Sequence, residues 1–190
     1  MVINTRNKIV NALIELAEKY PDKSHFTFSE IAKQAGLSRQ AIYKKHFSNV
    51  EDITDYIRQI IMEPFLPLYQ EYEQDRENNP LLYFAQEIIP TIYKHRKWIR
   101  VLYTTAIDPF WKEYLTNFFT QWVEQNLEIN SKKLGFPENM GTEVFVSWMN
   151  SLIEVWIIKE EPIPAEEFSQ LFLKTASIPM SQFIEIPTKK

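Results

Sequence analysis

Apolar positions recur along this chain at intervals of three and four residues, and no run alternates long enough to make a sheet, so the pattern predicts an all-α fold. Ile9, Leu13, Ile14, Ala17 and Tyr20 line one side of a first helix over 5–20 that ends near Pro21. Thr27 and Glu30 stand three apart, the spacing of a capping box, and start a second helix at Phe28. Ile31, Ala32 and Ala35 form its narrow apolar stripe, whose small members let another helix cross closely. Gly36 ends it, because glycine takes a positive φ without steric cost, and Leu37 can pack back on the preceding turn. Ser38 caps a third helix.

That third helix has one residue to bury, Ile42, among Arg39, Gln40, Tyr43, Lys44 and Lys45. It has little to give a core and much to offer a partner. Two short helices around such a turn form a helix-turn-helix, whose second helix enters the DNA major groove N-terminus first. Ser38, Arg39 and Gln40 then reach base edges, with Arg39 suited to guanine and Gln40 to adenine. Tyr43, Lys44 and Thr27 fit phosphate contacts, and Lys45 and His46 at the helix end complete the set of DNA-binding candidates. An ordinary αα-corner with a solvated basic face fits the same pattern.

Farther along, Ser48 and Glu51 read as a second capping box, opening a helix through Ile53, Tyr56, Ile57 and Ile60 that Pro64 and Pro67 limit. A polar break, DRENNP, occupies 75–80. Helices follow over 81–93, with a kink at Pro90, over 98–105 and over 110–129. After the break LGFPENMG at 134–141 come two last helices, 142–158 and 165–178, separated by KEEPIP. Phe145, Trp148, Met149, Leu152 and Trp156 fall at i, i+3, i+4, i+7 and i+11, and Val144, Val155 and Ile157 widen that stripe beyond one core face. Phe168, Leu171, Phe172 and Ala176 make a similar stripe on the last helix. Two helices apolar on two sides predict a homodimer joined by a four-helix interface, with Phe145, Met149, Leu152, Trp156, Phe168, Leu171 and Phe172 as its residues. Packing in the chain's own core is the other use for the same surface.

The run from Thr27 to Ile53, centred on SEIAKQAGLSRQAIYKKHFSNVEDI, resembles the N-terminal region of the TetR (tetracycline-repressor type) family of transcriptional regulators. The marks stand in order: an amphipathic first helix, a threonine opening the second, alanine before glycine, then Ser38, Tyr43 and Phe47. Two departures accompany them. Tyr43 and Phe47 are four apart where the family spacing is three, and Val50 stands where the family often has a phosphate-holding lysine, so that contact is either lost or left to backbone N–H groups of Asn49 and Val50. The resemblance implies a three-helix DNA-binding head over 1–50 and an all-helical effector-binding and dimerisation body over 51–190. It also implies an apolar or aromatic small-molecule effector held among the central helices, for which Tyr93, Tyr103, Trp111 and Trp148 are the candidate lining residues.

Charge sharpens the division. Residues 1–50 carry eight Lys or Arg against four Asp or Glu, a net of +4, whereas 51–190 carry thirteen against twenty-one, a net of −8. A basic head before an acidic body aims the head at phosphate. The absence of cysteine excludes disulfides and thiolate metal sites and agrees with a reducing, cytoplasmic setting. No apolar run approaches the roughly 18–20 residues of a membrane span, so no membrane partner is expected.

No catalytic constellation emerges, and no metal or cofactor is expected. There is no GxSxG, P-loop or HExxH, and the three histidines, His25, His46 and His95, lie far apart in sequence. The cluster KHRKWIR at 94–100 reads as a solvated helix start or as an anion site. The expected function is a homodimeric repressor that binds a palindromic operator in double-stranded DNA and is released by its effector. A second reading keeps the fold but has the chain act through a partner regulator without reading DNA alone, and a third makes it a helical enzyme or carrier.

Overall fold

The computed structural model describes residues 5–74, 79–138, 140–179 and 182, and these hold helices and loops with no strand among them. Helix α1 (Thr5–Lys19) buries Ile9, Val10, Ala12, Leu13, Ile14, Leu16 and Ala17, a face wide enough to lie across α2 (Phe28–Ala35) and to touch the body behind it. Burying an Ile or Leu side chain fully contributes about 1.5–3 kcal/mol, so this face holds α1 down. Tyr20, expected on the same side, is instead exposed, because the helix stops at Lys19. Helix α3 (Arg39–Lys45) crosses α2 and buries Ile42 alone.

Helix α4 (Glu51–Met62) does not start from the expected Ser48–Glu51 box. Asn49 and Asp52 supply it: the Asp52 N–H donates to Asn49 Oδ1 at 2.6 Å, while the N–H groups of Ser48 and Asn49 donate to Asp52 Oδ2 at 2.8 and 3.4 Å. Asn is as good a cap as Ser, and its amide oxygen meets the donor three residues on. The pairing also occupies the Asn49 N–H that the sequence left for a phosphate. Ile53, Ile57 and Ile61 carry α4 from the head into the body core. A single 3₁₀ turn, Glu63–Phe65, with Pro64 inside it, passes the chain to α5 (Leu66–Gln74).

Of the expected polar break, residues 75–78 lie outside the described residues. Asn79 caps α6 (Pro80–Tyr83), its Oδ1 accepting from the N–H of Leu81 and Leu82. Then the winding widens. Residues Phe84–Ile88 form a π-turn, and α7 (Ile89–Lys94) resumes with Pro90 in its first turn. The kink expected at Pro90 takes this form for a traceable reason. The Ile89 N–H donates to the Phe84 carbonyl, which skips Ala85, and Pro90 has no N–H to offer in its place. The orphaned Ala85 carbonyl accepts instead from the Ser169 hydroxyl at 2.5 Å, which pins this turn to the last helix.

Helix α8 (Arg96–Thr104) leads through a corner at 105–110 to α9 (Trp111–Asn126), shorter than expected because Leu127 is extended, and on to a 3₁₀ turn at Ser131–Leu134. Helices α10 (Met140–Ile157) and α11 (Ala165–Ser177) close the body, with Asn139 of the preceding break outside the described residues. Their connection is fixed by Trp156, whose Nε1–H donates to the Ile163 carbonyl at 2.9 Å while its ring stacks on Phe168 with centroids 4.0 Å apart. The apolar core runs unbroken from head to body.

Candidate functional site

The head is built from local bonds. Thr27 Oγ1 accepts from the Glu30 N–H at 3.2 Å and Glu30 Oε2 accepts from the Thr27 N–H at 2.8 Å, completing the capping box. Lys23 bonds the other carboxylate oxygen. That ammonium and then the Thr27 bonds hold the Glu30 carboxyl at about 2, well below the ordinary carboxylate range. Gly36, at φ 61°, closes α2 in a Schellman turn, with the Leu37 N–H donating to the Ala32 carbonyl at 2.9 Å and the Gly36 N–H to the Lys33 carbonyl at 3.3 Å. Ser38 Oγ accepts from the Ala41 N–H at 3.1 Å and so starts α3 immediately after the turn.

The result is a helix displayed rather than buried. Thr27, Ser38, Arg39, Gln40, Tyr43, Lys44 and Lys45 are all exposed, and His46 is half-buried. Thr27, Arg39 and Tyr43 share one surface concavity with Phe28, Ser29, Ser48, Asn49 and Val50, so the start of α2, the outer face of α3 and the entry to α4 form one continuous wall. Seven residues of α3 span about 10 Å, a length that the roughly 12 Å wide major groove accepts.

The extra residue between Tyr43 and Phe47 is absorbed in the exit turn. His46 and Phe47 both donate their N–H to the Ile42 carbonyl, at 3.0 and 3.1 Å, so the last turn widens by one position. Phe47 is thereby returned to the core, 5% exposed, with its ring 5.6 Å from that of Tyr56. The Arg6 guanidinium lies over both rings and donates to the His46 carbonyl at 3.1 Å, fastening α1 to the exit of α3.

In the body, α4 to α10 enclose a cavity of about 80 Å³, against the ~10–15 Å³ that one water needs. Tyr103 and Trp111 line it, as do Phe84 and Ile88 of the π-turn. Tyr93 and Trp148 do not. Tyr93 stacks on Trp156 under the Arg96 guanidinium, and Trp148 packs between Phe145 and Phe172. Sequence reasoning missed Tyr69 and Trp122, whose rings lie 5.3 Å apart in the cavity wall.

Among the residues expected at a dimer interface, Trp156, Phe168 and Phe172 are buried in the chain's own core, Phe145 and Met149 line the cavity, and Leu152 is half-buried. Leu171 is 45% exposed. The outer apolar surface of α10 belongs instead to Met140, Val144 and Val155, 43%, 40% and 62% exposed, while Ile157 is fully buried. In the KHRKWIR cluster, Arg96 donates to the Tyr93 carbonyl and Arg100 to the Ile158 carbonyl, and burial lowers the His95 pKa. Its two arginines thus bond carbonyls that end helices. No group of His, Asp or Glu able to hold a metal ion occurs among the described residues, and none of their helices is long and apolar enough to cross a membrane.

The order of a three-helix head, a connecting α4 and a helical body recurs in solved structures. A TetR transcriptional regulator from Streptococcus agalactiae superposes with a TM-score of 0.57 at 18% identity, over 90% of this chain and 92% of that one. The chain has the TetR-type fold. NalD of Pseudomonas aeruginosa, the secondary repressor of the MexAB-OprM multidrug efflux pump, matches with a TM-score of 0.58 at 17% identity, over 90% and 94% of the two chains. No family model and no curated protein matches the sequence. Within the TetR-type fold, α3 of this chain occupies the second-helix position of the helix-turn-helix, and the cavity lies in the body.

Proposed function

We propose that the chain is a homodimeric transcriptional repressor that binds a palindromic DNA operator through α3 and is released when an apolar small molecule enters the body cavity. The observation that carries this reading is the outer face of α3: a capped helix held by a glycine turn, with Ile42 inside and every other candidate, from Ser38 to Lys45, offered to a partner. Arg39 and Gln40 supply the side chains that discriminate guanine and adenine, and Tyr43, Lys44 and Thr27 supply anchors for phosphate. The positive balance of residues 1–50 supports the same assignment.

Two copies place two reading helices in successive major grooves. Val144, Val155 and Leu171, exposed on α10 and α11, support pairing of those helices with their counterparts in a second copy. An effector that favours one head spacing by a typical coupling of ~1–3 kcal/mol weakens operator binding roughly 5–150-fold. No bond is made or broken in this cycle.

Selection of bound sequences from a random duplex pool tests the reading. The expected outcome is a motif with two-fold symmetry and half-sites about one helical turn or slightly more apart. An unenriched pool, or a motif without symmetry, overturns it.

A further inference from the structure

We infer that Arg6, on α1 and outside the proposed DNA-reading set, positions α3 for base reading, and that discrimination between sequences falls when it is replaced. This rests on the DNA-binding reading above and names a residue which that reading does not use.

Helix α3 has seven residues and gives the core Ile42 alone, so its direction is set mainly at its two ends. The start is held by the Gly36 turn and the Ser38 cap. The exit is built differently. His46 and Phe47 share the Ile42 carbonyl in a widened turn, and the next two N–H groups, of Ser48 and Asn49, turn forward to Asp52 on α4 instead of back to α3.

Arg6 is what reaches this exit from α1. Its Nη2 donates to the His46 carbonyl at 3.1 Å. Its guanidinium carbon lies 5.2 Å from the Phe47 ring centroid and 5.1 Å from that of Tyr56, inside the roughly 6 Å of a cation–π contact. Phe47 belongs to the exit and Tyr56 to α4, so one side chain joins three elements of the head. A guanidinium can lie on rings and donate along its own plane at once, which an ammonium cannot.

The consequence for reading is geometric. Helix α3 spans about 10 Å, so moving its exit by ~2 Å with the start held turns it by roughly 10°, near the limit within which a binding geometry survives. Arg39 and Gln40 turn by that angle, and Tyr43 and Lys44, nearer the exit, are displaced as well. Phosphate anchors fix register, and paired contacts to base edges depend on it. Arg6 acts on base reading through the helix, without touching DNA.

Hydrogen exchange and DNA binding of the full chain test this, with Arg6→Met and Arg6→Lys set against the parent. In Arg6→Met the His46 and Phe47 amides lose about three- to thirtyfold of their protection, the worth of one bond and one exposed cation–π contact, while those of Gly36 and Leu37 change less than about twofold. The DNA probes are the duplex that the parent selects from a random pool and copies with one base pair changed in a half-site. Arg6→Met loses about three- to thirtyfold of the parent's discrimination among them and keeps its salt slope. Arg6→Lys keeps the charge and lacks the fork, so it recovers only part of either loss. Equal loss of protection at Gly36 and His46 makes Arg6 a part of general stability and overturns the inference, as does unchanged discrimination. Uniform weakening across sequences, with a salt slope smaller by about one and full rescue by lysine, makes Arg6 a phosphate anchor and overturns it too. If the parent enriches no sequence, the DNA reading falls. Selective loss of protection at His46 and Phe47 then still supports positioning of the exit by Arg6, and its absence sinks that as well.

Discussion

Arg58 on α4 and Asp108 at the α8–α9 corner form a two-pronged ion pair across fifty residues of sequence, with Arg58 Nε donating to Asp108 Oδ2 at 2.6 Å and Nη2 donating to Oδ1. The partners are unequally buried: the Asp108 side chain is 1% exposed and that of Arg58 is 19% exposed. Asp108 raises the Arg58 pKa and keeps the guanidinium charged, and Asp55 adds a second anion at 3.1 Å. Removing the cation therefore strands a buried carboxylate, whereas removing the carboxylate leaves an arginine that can still reach Asp55 and water. Arg58→Met should destabilise the fold by about 3–5 kcal/mol and Asp108→Asn by roughly half as much, read from urea unfolding midpoints at pH 7. Equal losses would mean that the two groups are equally desolvated.

Ser169 and Ala85 pose the same question for a neutral pair. The Ala85 carbonyl is orphaned by the π-turn and by Pro90, and the Ser169 hydroxyl is its donor. Ser169→Ala should cost about 1–3 kcal/mol, the desolvation penalty of an unpaired buried carbonyl. Thr175 also donates to a carbonyl, that of Leu171, but within its own helix, where the backbone already serves that acceptor. Thr175→Ala should change stability by less than about 0.5 kcal/mol in the same urea unfolding series.

Glu30 gives the head a pH dependence of known sign. Its folded pKa of about 2 lies below the ordinary 4.5, so its contribution is complete above the higher value and is lost as pH falls through the lower one. The carboxylate is 39% exposed, and solvent screening reduces the contribution to about 0.5–1 kcal/mol. Glu30→Gln keeps an oxygen for the Thr27 N–H but removes the charge. The stability difference between parent and variant, followed by urea unfolding from pH 6 to pH 2, should shrink below about pH 4.5. A difference that stays constant over that range would rule out the depressed carboxyl.

What the sequence makes legible here is what short-range chemistry decides. Thr27, Glu30, Gly36 and Ser38 act within four residues of themselves, and the structure uses them as their spacing predicts. Ser48–Glu51 and Asn49–Asp52 are two boxes in the same window, and only the local backbone chooses between them. A stripe such as Phe145 to Trp156 shows that a face is apolar and is silent about what covers it, so residues consumed by the core were grouped with those left outside. The longest-range features left no pattern to read. Arg58–Asp108 spans fifty residues and Ser169–Ala85 spans 84. Pro90 was legible as a disturbance, but the widened turn needed the register of its neighbours.

The division between reading and anchoring on α3 can be separated by measuring affinity against operator variants and against salt. Arg39 and Gln40 stand at the start of the helix, which the proposed reading sets against base edges, so Arg39→Ala and Gln40→Ala should each cost ~1–3 kcal/mol on the preferred operator and relax preference at a single base position. Lys44 is one turn farther along and exposed, and the proposed reading assigns it to phosphate. Lys44→Ala should weaken all sequences alike and reduce the slope of log K against log salt by about one. Tyr43→Phe isolates the hydroxyl of the other anchor and should lower affinity without changing base preference. Uniform loss across sequences for Arg39→Ala would move Arg39 from the readers to the anchors, and the guanine contact would then fall to Ser38 or to none of these side chains.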